Sequence, residues 1–256
     1  MKSAMKLGGL VAVALTVALT LVSAGCGSDE EKQVTADSPA WVAKLAESKN
    51  ATQIFVVAGV GGTTAYVSMH EKDAAGKWHE IIGTPGFIGK KGLGKTKEGD
   101  SMTPIGTFRF TTAFGIADDP GCKGFAYRKV TGDDYWSGDP REGRRYNQMV
   151  NIKDLPDLDT KESEHIVEYT VPYQYCMNIG YNEAGTPGMG SAIFLHCFGA
   201  AKPYTGGCVS IPHAQMAKAL RHVKKDCVVV IDSLEKLSPE TWKEWGMPPS
   251  PAPSGN

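Results

Sequence analysis

From about residue 50 to residue 234 the apolar positions recur with a period of two. The segments "QIFVVAG", "TTAYVSMHEK", "KWHEIIG", "GTFRFTT", "EYTVPYQYCMNIGYN", "SAIFLHCF" and "CVVVIDS" are rich in β-branched and aromatic residues, and Gly, Pro, Asn or Asp separates them. This pattern predicts a mainly β protein. Helical spacing appears inside it once, in "PHAQMAKALRHVKK", where Met216, Leu220 and Val223 share a face and lysines occupy the last turn. Upstream, "SPAWVAKLAES" offers a serine cap, a proline in the first turn and Trp41, Val42, Leu45 and Ala46 on one side, which predicts a short helix. Two stretches have neither period: "GTPGFIGKKGLGKTKEGDSMTPIG" and the polar region from about 115 to 165 read as long loops, and loops of that length commonly carry function. No repeat is visible.

The ends of the chain have a different composition. "MKSAMKLGGLVAVALTVALTLVSAGCGS" carries two lysines, an uncharged apolar run from Leu7 to Val22 and small residues ahead of Cys26, the layout of a secretory signal. The small residues before the cysteine resemble a bacterial lipoprotein cleavage site, with Cys26 as the lipidated residue, although Ser23 stands where leucine is usual. An uncleaved anchor, or ordinary cleavage with Cys26 free, are the alternatives. The expected organisation is a lipoprotein-type signal over 1–25, a polar tether and short helix over 26–49, one domain over 50–234, and a C-terminal helix with a proline-rich tail over 235–256. The formal charge of the 256 residues is −1. Losing Lys2 and Lys6 with the leader leaves 25 basic against 28 acidic residues, and nothing in that balance suggests a nucleic-acid partner.

Export bears on the cysteines. With Cys26 lipidated and Cys208 kept as a thiol, Cys122, Cys176, Cys197 and Cys227 permit two disulfides, the alternative being four reduced, buried side chains. Cys176 and Cys197, each in a predicted strand near the candidate site, are the expected pair.

Candidate chemistry concentrates in "SAIFLHCFGAAKPYTGGCVSIP". His196 ends an apolar strand, and Cys208 follows a loop containing Lys202, Pro203 and Tyr204. A thiol becomes a strong nucleophile when a neighbouring base takes its proton, and histidine does this near neutral pH. The glycines before Cys208 leave the backbone open, so amides at Gly207 and Cys208 are candidate oxyanion donors. A buried structural Cys/His pair is the competing reading. His70, His79, His213 and His222 have no metal-ligand spacing with the cysteines, and no metal is expected.

"SAIFLH" and "TGGCVSIP", with "EGDSMTPIGTFRF" upstream, resemble the catalytic domain of the L,D-transpeptidases (YkuD-type), bacterial cysteine enzymes that remodel peptidoglycan. "DDYWSGDP", "RRYNQMV", "SEHI" and "IGYN" resemble the branch with long inserts before the histidine strand. The resemblance implies an L,D-transpeptidase-type β-sandwich or curved mixed sheet with one or two short helices. It also implies Cys208 as acyl-accepting nucleophile, His196 as general base, peptidoglycan stem peptides as partner and no organic cofactor; with lipid on Cys26, the expected place is at the bacterial membrane facing the wall. The implied reaction is release of a terminal D-alanine through a Cys208 thioester, which the side-chain amine of a second stem resolves into a 3→3 cross-link. An L,D-carboxypeptidase, with water as acceptor, or a silent wall-binding lipoprotein are the alternatives.

The sequence departs from the family pattern at two places, with Gly206 where histidine and Ser210 where arginine or asparagine are usual. Arg141, Arg144, Arg145 and Lys202 are candidates for the missing cation, each with a competing reading as a solvated charge. Tyr135, Trp136, Tyr146 and Asn147 in the insert, and Tyr204, are candidate substrate-binding residues, with ordinary packing as the alternative for the insert. Thr103, Pro104 and Gly106 read as turn chemistry, and Glu164 with His165 as a supporting pair.

Overall fold

The computed structural model describes residues 36–199 and 202–244. The expected signal segment with Cys26, the first part of the tether and the proline-rich tail lie outside the described residues. The elements in chain order are β1 (Ala36–Asp37), β2 (Gln53–Gly61), β3 (Thr64–Lys72), β4 (Trp78–Phe87), β5 (Gly106–Gly115), β6 (Tyr127–Lys129), β7 (Asp134–Trp136), β8 (Met149–Asn151) and β9 (Glu164–His165). They continue as β10 (Cys176–Ile179), β11 (Phe194–Cys197), β12 (Val209–Ile211), α1 (His213–His222), β13 (Val228–Ser233), α2 (Leu234–Leu237) and α3 (Pro239–Glu244).

The expected mainly β, curved mixed sheet is present. Its strands run β4-β12-β11-β10-β5-β13-β2-β3, and β3 pairs in turn with β4, so the sheet curls until it closes on itself. Neighbours are antiparallel except β11 with β12 and β13 with β2. Strands β2 and β13 are separated in the chain by everything from β3 to α1, which more than supplies the crossover that a parallel pair needs. The main core gathers Phe55, Val57, Met69, Ile82, Leu195, Val209, Ile211 and Ile231, and α1 packs Met216, Ala219 and Leu220 against it. Fully burying side chains of this size stabilises the fold by about 1.5–3 kcal/mol each.

Strand β2 is buried along nearly its whole length rather than on alternate residues. The reason is a second core on its other face, where Ile54, Val56 and Ala58 meet Trp41, Val42, Leu45, Trp78, Leu234 and Trp242. The predicted N-terminal helix is two short 3-10 helices, Val42–Lys44 and Ala46–Lys49, which supply part of that cover. Their segment is fastened to the sheet by β1 on β4 and by Ser38 Oγ with the buried His70 Nδ1, 2.9 Å apart.

Three expectations need correction. "EYTVPYQYCMNIGYN" forms a strand only over Cys176–Ile179, because Pro172 starts a 3-10 helix through Gln174. The stretch from 115 to 165 is not irregular throughout. It carries β6 and a small sheet ordered β8-β7-β9, organised by buried carboxylates: Asp134 accepts from the Thr131 amide and from Arg128, and Asp139 from Arg141 and the Asp159 amide. Finally, all five described cysteines are free, Cys176 and Cys197 included. Cys176 lies opposite His196, so Cys176 and Cys197 stand one residue out of register and point to opposite faces.

Candidate active site

Alternation along three adjacent strands builds the site. Met177, Leu195, Cys197, Val209 and Ile211 point into the main core. Their neighbours Cys176, Phe194 and Cys208 face outward into a third apolar cluster with Phe114, Trp136, Ile166 and Tyr173. His196 pairs in register with Ser210 across the parallel β11/β12 ladder, and Cys208 lies just before β12 on the same face. A cavity of about 550 Å³ opens there, lined among others by Cys208, His196, Ser210, Lys95, Glu164 and Tyr204. A second cavity, about 490 Å³ and bordered by Glu47, Arg109 and Asp226, has neither the cysteine nor the histidine.

The thiol and the imidazole are both held by backbone. Cys208 donates its S–H to the Ala192 carbonyl at 3.1 Å, and its Sγ accepts from the Phe194 amide at 3.3 Å. His196 Nδ1 lies 2.7 Å from the Cys197 carbonyl, which can only accept, so the proton sits on Nδ1 and Nε2 is the free acceptor. Among the described residues no hydrogen bond joins thiol and imidazole. Burial lowers His196 to about 4 despite the opposing bond to Cys197. Burial likewise pushes Cys208 up to about 12, with Glu164 adding to the rise and the Phe194 amide and Lys95 opposing it. The resting pair is therefore neutral thiol and neutral imidazole.

The turn before Cys208 is fixed by two threonines. Thr103 Oγ1 accepts from the Gly89 amide at 2.8 Å and donates to the Gly207 carbonyl at 2.8 Å. Thr205 Oγ1 donates to the Cys208 carbonyl at 2.6 Å and accepts the Gly207 amide at 3.1 Å. Gly207 has φ +147°, and a Cβ there would lie 2.9 Å from the Met102 carbonyl, so glycine is required. Its amide, expected as an oxyanion donor, is engaged by Thr205; the expectation for Gly207 does not fit this hydrogen bond. Gly206 is different: a Cβ there meets nothing within 4 Å, so a side chain would project into open space at the cavity wall.

Of the expected substrate-binding residues, Tyr204 lines the cavity, with Lys90 and Lys202 ammonium groups 5.6 and 6.0 Å from its ring centroid. The other four serve the insert. Tyr135 stacks on His165 at 4.4 Å. Trp136 is buried against Phe114 and Phe194 and donates to Asn147 Oδ1 at 3.0 Å. Asn147 Oδ1 also accepts the Ala192 amide at 3.0 Å, so it holds the residue whose carbonyl receives the Cys208 proton. Tyr146 donates to Glu98 at 2.5 Å. Arg141 and Arg144 pair with Asp139 and Asp157 in the insert, and neither lines the cavity. Lys202 does line it.

Sequence reading missed Lys95, a buried ammonium in the cavity wall that pairs with Asp100 at 3.0 Å. Burial works to raise Asp100, but the amides of Thr96, Lys97 and Met102 and the Lys95 ammonium outweigh it and hold the carboxyl at about 2. The available signal was the "KTKEGD" spacing, which lets one aspartate collect successive loop amides. Tyr173 was also missed. Its ring stands edge-on to His196, centroids 5.4 Å apart, and its hydroxyl donates to Glu164 at 2.7 Å.

The family model of the L,D-transpeptidase catalytic domain, YkuD, matches residues 56–231. Those residues run from β2 into β13 and contain the whole cavity wall around Cys208. No curated protein matches the sequence significantly.

Proposed function

We propose, from the premise that this chain belongs to the L,D-transpeptidase catalytic-domain family, that it joins peptidoglycan stem peptides into 3→3 cross-links through a Cys208 thioester. The observation that carries this reading is the placement of Cys208 and His196 on one face of adjacent parallel strands, opening into one cavity. The Cys208 sulfur attacks the carbonyl before the terminal D-alanine of a tetrapeptide. The S–C bond forms as the thiol proton passes to His196 Nε2 and on to the departing amine, and the C–N bond breaks. Because the resting groups are neutral, proton transfer accompanies attack instead of preceding it. Oxyanion stabilisation falls to the Cys208 amide, since the Gly207 amide is engaged by Thr205. Lys95, held by Asp100, is a cation in the cavity wall whose charge favours the Cys208 thiolate, at a site where the position of Ser210 lacks the arginine or asparagine usual in the family.

The insert, packed through Trp136 and Tyr173 on Phe194, forms an apolar wall beside the thioester and limits access of water. Attachment through lipid on Cys26, on the outer side of the bacterial membrane, fits a wall substrate. Intact mass of the membrane-bound protein, expected to show diacylglycerol on a chain beginning at Cys26, checks that part; a soluble chain beginning elsewhere contradicts it. Product analysis after incubation with disaccharide tetrapeptide tests the reaction. A cross-linked dimer supports the transpeptidase, released tripeptide alone identifies a carboxypeptidase, and an unchanged substrate identifies a silent module.

A further inference from the structure

Two carboxylates line the cavity, Glu98 and Glu164. Glu98 is occupied, because the hydroxyls of Tyr146 and Ser191 both donate to its Oε2, at 2.5 and 2.8 Å. Glu164 has a different environment. Its Oε2 accepts the Tyr173 hydroxyl at 2.7 Å, and among the described residues no hydrogen bond or ion pair falls on Oε1. Strand β9 carries it, paired with Trp136 of the insert sheet, so its position is set by a ladder and not by a free loop. Lys95 in the same cavity is taken by Asp100.

The groups that act on Glu164 or feel its charge are Tyr173, Tyr169, Glu98, Cys176 and Cys208. None is a cation. Burial raises the Glu164 carboxyl to about 7, and its charge in turn disfavours the Cys208 thiolate. A carboxylate in this place works against the first half of the reaction and against its own ionisation. Both penalties are relieved when a cation enters the cavity.

Resting on the acyl-transfer reading above, we infer that Glu164 binds the amine acceptor, its free Oε1 receiving an N–H of the incoming ammonium beside the thioester. The ammonium gives one proton to Glu164, and the freed nitrogen lone pair attacks the thioester carbonyl. The N–C bond forms, the C–S bond breaks, and a second nitrogen proton passes through His196 to restore the Cys208 thiol. The third stays on the new amide, and Glu164 returns its proton to solvent. Water carries no positive charge to pair with this carboxylate, so the ion pair made only by the ammonium makes Glu164 favour aminolysis over hydrolysis.

The test compares the full-length protein with Glu164→Gln, which retains an acceptor for the Tyr173 hydroxyl. Intact mass measures thioester formation from disaccharide tetrapeptide, and product analysis with a diamine-bearing tripeptide stem measures the ratio of amide to hydrolysed product. Glu164→Gln is expected to form the thioester at least as fast as wild type, since an anion beside the sulfur is gone. Its amide-to-hydrolysis ratio is expected to fall at least about tenfold, the loss of one charge-assisted hydrogen bond, with a raised acceptor KM. An unchanged ratio overturns the assignment, as does a parallel loss of thioester formation and aminolysis. Wild-type protein that forms the thioester but yields only hydrolysed product also overturns it. Wild-type protein that forms no thioester overturns the acyl-transfer reading itself.

Discussion

At the scale of residues, the site is a neutral pair of buried groups in the wall of one cavity. Cys208 is held at about 12 chiefly by burial, and His196 at about 4 for the same reason. Removing the nucleophile by Cys208→Ala abolishes acyl transfer, measured as release of the terminal residue. His196→Ala slows it by about 10²- to 10⁴-fold, the usual contribution of a positioned acid–base group. With the thiol near 12, alkaline buffer supplies little thiolate, so His196→Ala is expected to remain slow at pH 9; recovery to within a few-fold of wild type there contradicts the neutral-pair account. The wild-type rate of thioester formation is expected to fall as pH approaches the His196 value of about 4 and to decline above about pH 7, where Glu164 ionises beside the sulfur. The thiol and the histidine that share the cavity were legible from the residues because their motifs are local, whereas the engagement of the Gly207 amide by Thr205 exists only in the folded turn. Lys95, Tyr173 and the role of Asn147 were not, because each acts through a partner brought near by folding: Asp100, Glu164 and Ala192.

The loop that delivers the thiol is an element without regular structure, stitched by Thr103 and Thr205. Gly207→Ala forces a Cβ toward the Met102 carbonyl at a positive φ, and strained positions of this kind cost on the order of 1–3 kcal/mol. Its expected outcome is a lowered Tm together with lost activity. Thr103→Val removes the acceptor for the Gly89 amide and the donor to the Gly207 carbonyl. It is expected to destabilise by about 1–3 kcal/mol in a denaturant titration. Strand β5, whose covered and exposed residues alternate from Gly106 to Thr111, and helix α1 were readable from the sequence. Strand β12 has three residues and β9 two, lengths at which periodicity carries no signal. The insert escaped for another reason: its order comes from buried Asp134 and Asp139 collecting amides and arginines, a pattern that composition reports only as polarity. The proposed disulfide failed on register, which a one-residue offset reverses.

Across the whole molecule, buried histidines tie stability to pH. His70, enclosed by Ser38 and Ser68, is lowered by burial to about 4. Its folded value lies below the unfolded one, so the unfolded chain binds the proton more readily. The stabilisation is nearly complete above about pH 6.5 and is lost as pH falls toward 4, the loss reaching about 2 kcal/mol at pH 5. Urea titrations at pH 7 and pH 5 should therefore show a smaller difference for His70→Asn than for wild type; equal differences contradict it. The closed sheet, its outer apolar cluster and the insert together serve one purpose in this account, to present a single activated sulfur to a wall peptide. The most direct measurement is intact mass spectrometry of the purified protein incubated with disaccharide tetrapeptide, followed by peptide mapping of the adduct. The account predicts a covalent adduct on Cys208 whose mass equals the donor less its terminal D-alanine; an unmodified protein alongside turned-over substrate, or an adduct on another residue, contradicts it.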